Sequence, residues 1–236
     1  MKKPFINYAH RGASTYFPEN TMISFRNGLE MGANGIETDV QITKDGVLVL
    51  FHDDTLDRVT GKTGCIADYT YAELLEFDVK NGDLYAKIPT FEEFLVEFAD
   101  KNITFAIELK VKGVAKQTAD IIYKYGVQEK VIITSFIYDA LIEIKDCAPN
   151  LRRGYLFYGL DDKTRKEINV LDLYEICPKG TDVCKEEVDE YHQKGYGVRA
   201  WGMANEQIMI ETIEKGVDGM TVNFPDKLTA YLKNNK

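Results

Sequence analysis

The residues best equipped for chemistry lie in two short stretches, His10-Arg11-Gly12 and Glu37-Thr38-Asp39, the second running on to His52-Asp53. The chain has three histidines, and two stand here, each closing an apolar run: FINYA before His10 and VLVLF before His52. Such runs read as buried strands. Imidazoles and carboxylates gathered at strand ends suit proton transfer and the binding of a cation.

Spacing indicates how these groups meet. Residues 36–42 and 47–52 are both strand-like, and only Thr43, Lys44, Asp45 and Gly46 separate them. Parallel strands need a crossover of a dozen or more residues, so the two form an antiparallel hairpin. With the turn centred on Lys44-Asp45, paired residue numbers sum to about 89. Glu37 then faces His52, and Asp39 faces Leu50. A slip of one residue would move every side chain to the other face.

A further strand, ITFAIELK over 103–110, ends in Glu108 and Lys110, which alternate onto one face. Three converging carboxylates raise one another's pKa and repel unless a cation holds them. One hard divalent ion, Mg²⁺ or Ca²⁺, is the expected occupant of Glu37, Asp39 and Glu108. No cysteine or histidine pair has a spacing that suits zinc.

With 236 residues, 44% of them hydrophobic, the chain can bury a substantial core in one α/β domain covering 1–236. Its net charge of −9, with no basic stripe, argues against nucleic acid or an anionic membrane as partner. Lys2 and Lys3 precede an apolar run too short for a signal peptide or a membrane span, so a cytoplasmic protein is expected. The cysteines at 65, 147, 177 and 184 form no CxxC pair and read as reduced packing residues. No self-complementary patch announces an oligomer.

The elements that must position the site alternate along the chain. Strands are expected at 5–9, 36–40, 103–109, 131–135, 152–157, 173–177, 197–201 and 218–222. Helices are best marked at about 90–100, 114–125, 137–147, 182–194 and 205–215. Eight such units, with the hairpin's return limb as an appendage, predict a TIM (β/α)8 barrel; a doubly wound open sheet is the alternative. Residues 53–88 hold turn signals and no clear strand, and read as an insertion after the second strand. His10, Glu37, Asp39, Glu108 and Trp201 all fall at C-terminal strand ends, the face where barrels place their chemistry.

Five stretches, in this order and spacing, resemble the glycerophosphodiester phosphodiesterase family: AHRGASTYFPENT (9–21), GIETDVQITKDGVLVLFHDDTLDRVTG (35–61), AIELK (106–110), SFIYDAL (135–141) and VDGMTVNFPD (217–226). The resemblance implies a TIM barrel with an insertion after its second strand. It also implies metal-dependent hydrolysis of a small-molecule glycerophosphodiester to glycerol 3-phosphate and an alcohol. Position by position, His10 and His52 match the acid/base pair, Glu37, Asp39 and Glu108 the metal ligands, and Arg11 and Lys110 the phosphate-holding cations. Chemistry assigns the same roles, because a phosphodiester is an anion with a poor alkoxide leaving group. Two late departures from the family pattern, Trp201-Gly202-Met203-Ala204-Asn205 and Asn223 where Asp is common, bear on headgroup preference rather than on reaction type.

Other residues admit simpler readings. Trp201 before Gly202 reads as a wall of the substrate pocket, and Tyr16, Phe17 and Tyr69 are further candidates for its lining. His192, among Glu186, Glu187, Asp189 and Glu190, reads as a surface residue. Asp53 and Asp54 either orient His52 or serve a turn. Glu19 and Asn20 either cap the first helix or join the site. A phospholipid, lysophospholipid or cyclic phosphodiester substrate, and a non-catalytic binding role, are the alternatives to glycerophosphodiester hydrolysis.

Overall fold

The computed structural model describes residues 4–235; Lys2 and Lys3, which bore on the signal-peptide reading, lie outside it. Eight parallel strands close on themselves: β1 (Ile6–His10), β2 (Gly35–Ile42), β6 (Thr104–Leu109), β7 (Val131–Ser135), β8 (Arg152–Phe157), β9 (Glu175–Pro178), β10 (Gly197–Ala200) and β11 (Gly219–Val222). β1 pairs with both β2 and β11, which completes a TIM barrel and removes the open-sheet alternative. The strands are nearly continuous runs of buried residues, because one face fills the barrel and the other meets the helices. Those helices are α1 (Met22–Glu30), α4 (Phe91–Phe98), α5 (Ala115–Lys124), α6 (Tyr138–Cys147), α7 (Asp162–Leu171), α8 (Lys185–Gln193), α9 (Glu206–Glu214) and α10 (Pro225–Asn234).

Local signals explain several boundaries. At α4 the Thr90 hydroxyl accepts from the Glu93 N–H while the Glu93 carboxylate accepts from the Thr90 N–H, a reciprocal cap. The apolar face of α4 then drives Phe91, Phe94 and Phe98 against Phe25 and Phe105, with rings meeting edge to face at 5.0 Å between Phe25 and Phe94. Truncating Phe94 there would cost about 3–5 kcal/mol.

The hairpin forms as expected, but its register is one step from the predicted one. β3 (Leu48–Leu50) pairs Val40 with Leu50 and Gln41 with Val49, so Asp39 stands opposite Phe51, whose N–H donates to the Asp39 carbonyl. The cause is the turn. Gly46 donates to the Thr43 carbonyl and sits at φ +83°, giving a three-residue loop that closes on Gly46 instead of the two-residue loop assumed. His52 therefore lies just beyond the ladder instead of opposite Glu37.

Between β3 and α4 the chain carries α2 (Asp57–Thr60), a 3₁₀ turn at Ile66–Asp68, α3 (Tyr71–Leu74) and an antiparallel pair, β4 (Val79–Asn81) and β5 (Leu84–Ala86). That small sheet corrects the expectation of no strand; its limbs are three residues long and mostly exposed, too short for periodicity to show. The segment has its own apolar cluster, in which Leu56, Val59, Ile66, Leu74 and Val79 pack on Val49 and Phe51. Of the cysteines, all four are free and only Cys177 is buried, so the packing reading fails for Cys65, Cys147 and Cys184. No helix among the described residues is long and apolar enough to cross a membrane.

Candidate active site

Barrel register brings the acidic groups together. His10 pairs with Glu37 across β1–β2, and Asp39 pairs with Glu108 across β2–β6. Glu37 and Asp39, two residues apart, share a face. Carboxylate oxygens of Glu37, Asp39 and Glu108 lie within 4.8 Å of one another, and all three residues are buried. They form the rim of a cavity of about 540 Å³ at the C-terminal mouth of the barrel, also lined by His10, Arg11, His52, Lys110 and Trp201. All eight expected site residues converge there; seven line the cavity and Asp39 lies against its edge, fully buried.

The loop after β1 is bent to reach this place. Arg11 and Gly12 both take positive φ, and a Cβ on Gly12 would meet Ser24 at 2.4 Å, so only glycine fits after the arginine. The bend lets the Arg11 N–H donate to the Glu37 carbonyl at 2.9 Å and to its carboxylate at 3.1 Å. Arg11 Nη1 pairs with Glu19 at 2.9 Å, and the buried Nε stands 3.3 Å from Asp39 Oδ2 without making a hydrogen bond. Lys110 Nζ donates to Glu108 at 2.8 Å and lies 3.9 Å from Asp39 Oδ1.

The carboxylates do not share their burden evenly. Burial, reinforced by Asp39 and Glu108, pushes Glu37 well above the usual carboxylate range. Burial and Asp39 likewise raise Glu108 to about 7, against the pull of Lys110. Asp39 goes the other way: burial is outweighed by the charges of Arg11, His52 and Lys110 and by a hydrogen bond from Asn20. The sequence-based expectation that all three rise holds for two. One oxygen of Asp39, Oδ1, is buried without a hydrogen-bond partner. A tight set of hard oxygen donors, with one acceptor unused and two carboxylates driven towards protonation, fits a hard divalent cation.

Each histidine is held by Nδ1. His10 Nδ1 contacts Asn223 Oδ1, and His52 Nδ1 pairs with Asp53 Oδ1 at 2.7 Å. Donation through Nδ1–H leaves both Nε2 atoms as acceptors, that of His10 lying 3.8 Å from Glu37. Burial lowers the pKa of both rings, His10 to about 3 with help from the Arg11 charge.

Of the supporting residues, Asn20 was left open by the sequence between a helix cap and the site, and it joins the site. Asn20, at φ +54°, donates to Asp39 Oδ2 at 2.8 Å and accepts from Thr38 at 2.7 Å, so it orients the carboxylate, and Thr21 occupies the cap position of α1. Asn223 was noticed as a departure, with no sign in sequence that it meets His10. The opposite wall of the cavity is apolar. Trp201 donates its indole N–H to the Cys177 carbonyl at 3.0 Å and packs edge-on against Phe136 and Tyr158, at 5.0 and 5.1 Å. Tyr16, Phe17 and Tyr69 do not line the cavity. Tyr16 bonds Asp226, and Tyr69 packs on Phe77 in the insertion. His192 lies away from the site, bonded to Asp218 at 2.8 Å.

The chain is similar to known proteins in sequence and in fold. Residues 10–227 match the Glycerophosphoryl diester phosphodiesterase family. The chain is 35% identical over 230 residues to a glycerophosphodiester phosphodiesterase of Caldanaerobacter subterraneus subsp. tengcongensis, covering 93% of this chain and 94% of that one. It is 31% identical over 234 residues to a glycerophosphodiester phosphodiesterase of Bacillus altitudinis, covering 93% and 95%. Among solved structures, an Oleispira antarctica phosphodiesterase in complex with the product sn-glycerol-3-phosphate superposes with a TM-score of 0.86 at 25% identity, covering 98% of this chain and 97% of that one. The chain belongs to the glycerophosphoryl diester phosphodiesterase family of hydrolases.

Proposed function

We propose that this chain, barrel and insertion acting as one unit, hydrolyses small glycerophosphodiesters to glycerol 3-phosphate and an alcohol, using one divalent ion, Mg²⁺ or Ca²⁺. The observation that carries the reading is the buried cluster of Glu37, Asp39 and Glu108, with an Asp39 oxygen that accepts no hydrogen bond, beside two histidines each held through Nδ1. An ion held by these three carboxylates would neutralise the phosphoryl oxygens and polarise the phosphorus.

The protein's own groups divide the remaining work. Arg11 and Lys110, both lining the cavity, bring positive charge to an anionic diester. The wall of Trp201, Phe136 and Tyr158 receives carbon rather than charge, since the indole N–H is already bonded to backbone. The two histidines differ in their partners. Burial opposes charge on both rings and takes the His10 pKa to about 3. At His52 the Asp53 carboxylate works against burial and favours the charged form that can donate from Nε2, whereas neutral Asn223 leaves His10 uncharged with Nε2 free to accept. His10 is therefore the base that deprotonates the nucleophile, and His52 the acid that protonates the departing alkoxide.

The test is glycerol 3-phosphate release from glycerophosphocholine and glycerophosphoethanolamine by wild type and by folded His10→Ala and His52→Ala variants. Each variant should lose about 100- to 10,000-fold in kcat. His52→Ala should recover most of its loss on a p-nitrophenyl diester, whose leaving group needs no proton, and His10→Ala should not. Wild-type turnover in both variants would refute the mechanism.

A further inference from the structure

Arg58 does not line the cavity, yet it joins two of the groups that do. It belongs to α2 in the insertion, and its half-exposed side chain grips two carboxylates at once. Nε and Nη2 donate to Asp53 at 2.5 and 2.9 Å, and Nη1 and Nη2 donate to Glu19 at 2.9 and 2.7 Å. Asp53 in turn accepts from His52 Nδ1, and Glu19 Oε1 accepts from Arg11 Nη1 at 2.9 Å. A continuous chain of contacts thus runs from His52 through Asp53, Arg58, Glu19 and Arg11 to the buried Asp39.

A carboxylate held by one hydrogen bond still turns about its side-chain torsions, whereas a guanidinium fork fixes its plane. A fixed Asp53 keeps the His52 proton on Nδ1. A fixed Glu19 holds one end of Arg11 and so keeps its Nε against Asp39, at 3.3 Å from Oδ2. Charge acts in the same direction, since removing Arg58 takes one cation from two carboxylates that stand next to the site.

We propose that Arg58 is a positioning residue for the hydrolysis, orienting His52 through Asp53 and Arg11 through Glu19, so that the insertion supports the chemistry without touching substrate. The inference rests on the functional reading above. Arg58→Met should lower kcat on glycerophosphocholine by about 10- to 100-fold in metal-loaded enzyme, as loss of an outer supporting partner does elsewhere. Its melting temperature should stay within a few degrees of wild type, because the side chain is half exposed. Arg58→Lys restores the charge but not the forks and should recover little of the loss. Asp53→Asn combined with Arg58→Met should be no worse than the more damaging single variant on the His52 branch. Wild-type kcat in Arg58→Met, full rescue by Arg58→Lys, or additive losses in the double variant would each overturn the proposal.

A second readout does not depend on the reaction. With only three histidines in the chain, ring ¹⁵N NMR resolves the His52 tautomer after assignment by His52→Asn. A single Nδ1–H form in wild type and a mixture in Arg58→Met are expected. Identical His52 spectra in the two would overturn the proposal. A wild-type enzyme that released no glycerol 3-phosphate would refute the functional reading and leave this readout intact.

Discussion

Two ionic clusters are buried in the barrel, and they are built on opposite plans. In one, Arg199 sits at 2% exposure and donates to Glu175 at 2.7 Å, to the Thr221 hydroxyl at 2.7 Å and to Cys177 sulfur at 3.3 Å. Its guanidinium also lies over the Tyr8 ring, 5.1 Å from the centroid. Its charge is answered within the protein. In the other, Glu37, Asp39 and Glu108 face two cations, Arg11 and Lys110, with one Asp39 oxygen accepting no hydrogen bond. Arg199 reaches the floor of the active-site cavity, so the closed cluster supports the open one from below. The lesson is that burial of charge alone does not mark a site; an unbalanced set does.

The largest effect should come from breaking the closed cluster. Arg199→Met leaves Glu175 buried without its partner and should cost about 3–5 kcal/mol, read as a lowered urea midpoint that is the same with and without metal. Next comes closing the open cluster. Mg²⁺ or Ca²⁺ at a hundred times its Kd should stabilise the metal-free protein by about 2.7 kcal/mol, and Asp39→Asn should abolish that increment.

Glu37→Gln should show the contrast in sign. Glu37 has its folded pKa raised by burial and by its carboxylate neighbours, so its charge opposes folding at neutral pH. Replacing it should leave the metal-free protein as stable as wild type or more so, by on the order of 1 kcal/mol, while removing the response to metal.

The smallest effect is a pH dependence centred on Glu108. Its pKa is raised to about 7, so between the ordinary carboxylate value and pH 7 the folded chain holds a proton that the unfolded chain gives up. That contribution to metal-free stability is present at pH 5 and lost as pH rises through 7. The difference between wild type and Glu108→Gln in denaturation midpoint should follow this trend. Metal affinity should run the opposite way and weaken below pH 7, since binding must expel the proton.

The two clusters were also unequally legible in sequence. His10, Glu37, Asp39, His52 and Glu108 stand at the ends of apolar runs, where a polar residue is conspicuous, and strand alternation was enough to aim most of them at one another. Arg199 and Glu175 lie inside short strands, 24 residues apart, and nothing local marks them as a pair. The contact of Asn223 with His10 escaped for the same reason, and Asn20 stayed open between a cap and the site because its partner, Asp39, lies on another element. The barrel followed from regular spacing, while the hairpin register slipped by one because the loop closed on Gly46 at positive φ, a detail of backbone that composition does not report. The β4–β5 sheet was missed because three-residue limbs carry no measurable period.

The most direct test of the open cluster is calorimetric titration of chelator-treated protein with Mg²⁺ and, separately, Ca²⁺, with glycerol 3-phosphate release measured at each point. One ion bound per chain, with activity rising in step with occupancy and both lost in Asp39→Asn, is the predicted result. Full activity in metal-free protein, or binding that survives Asp39→Asn, would contradict it.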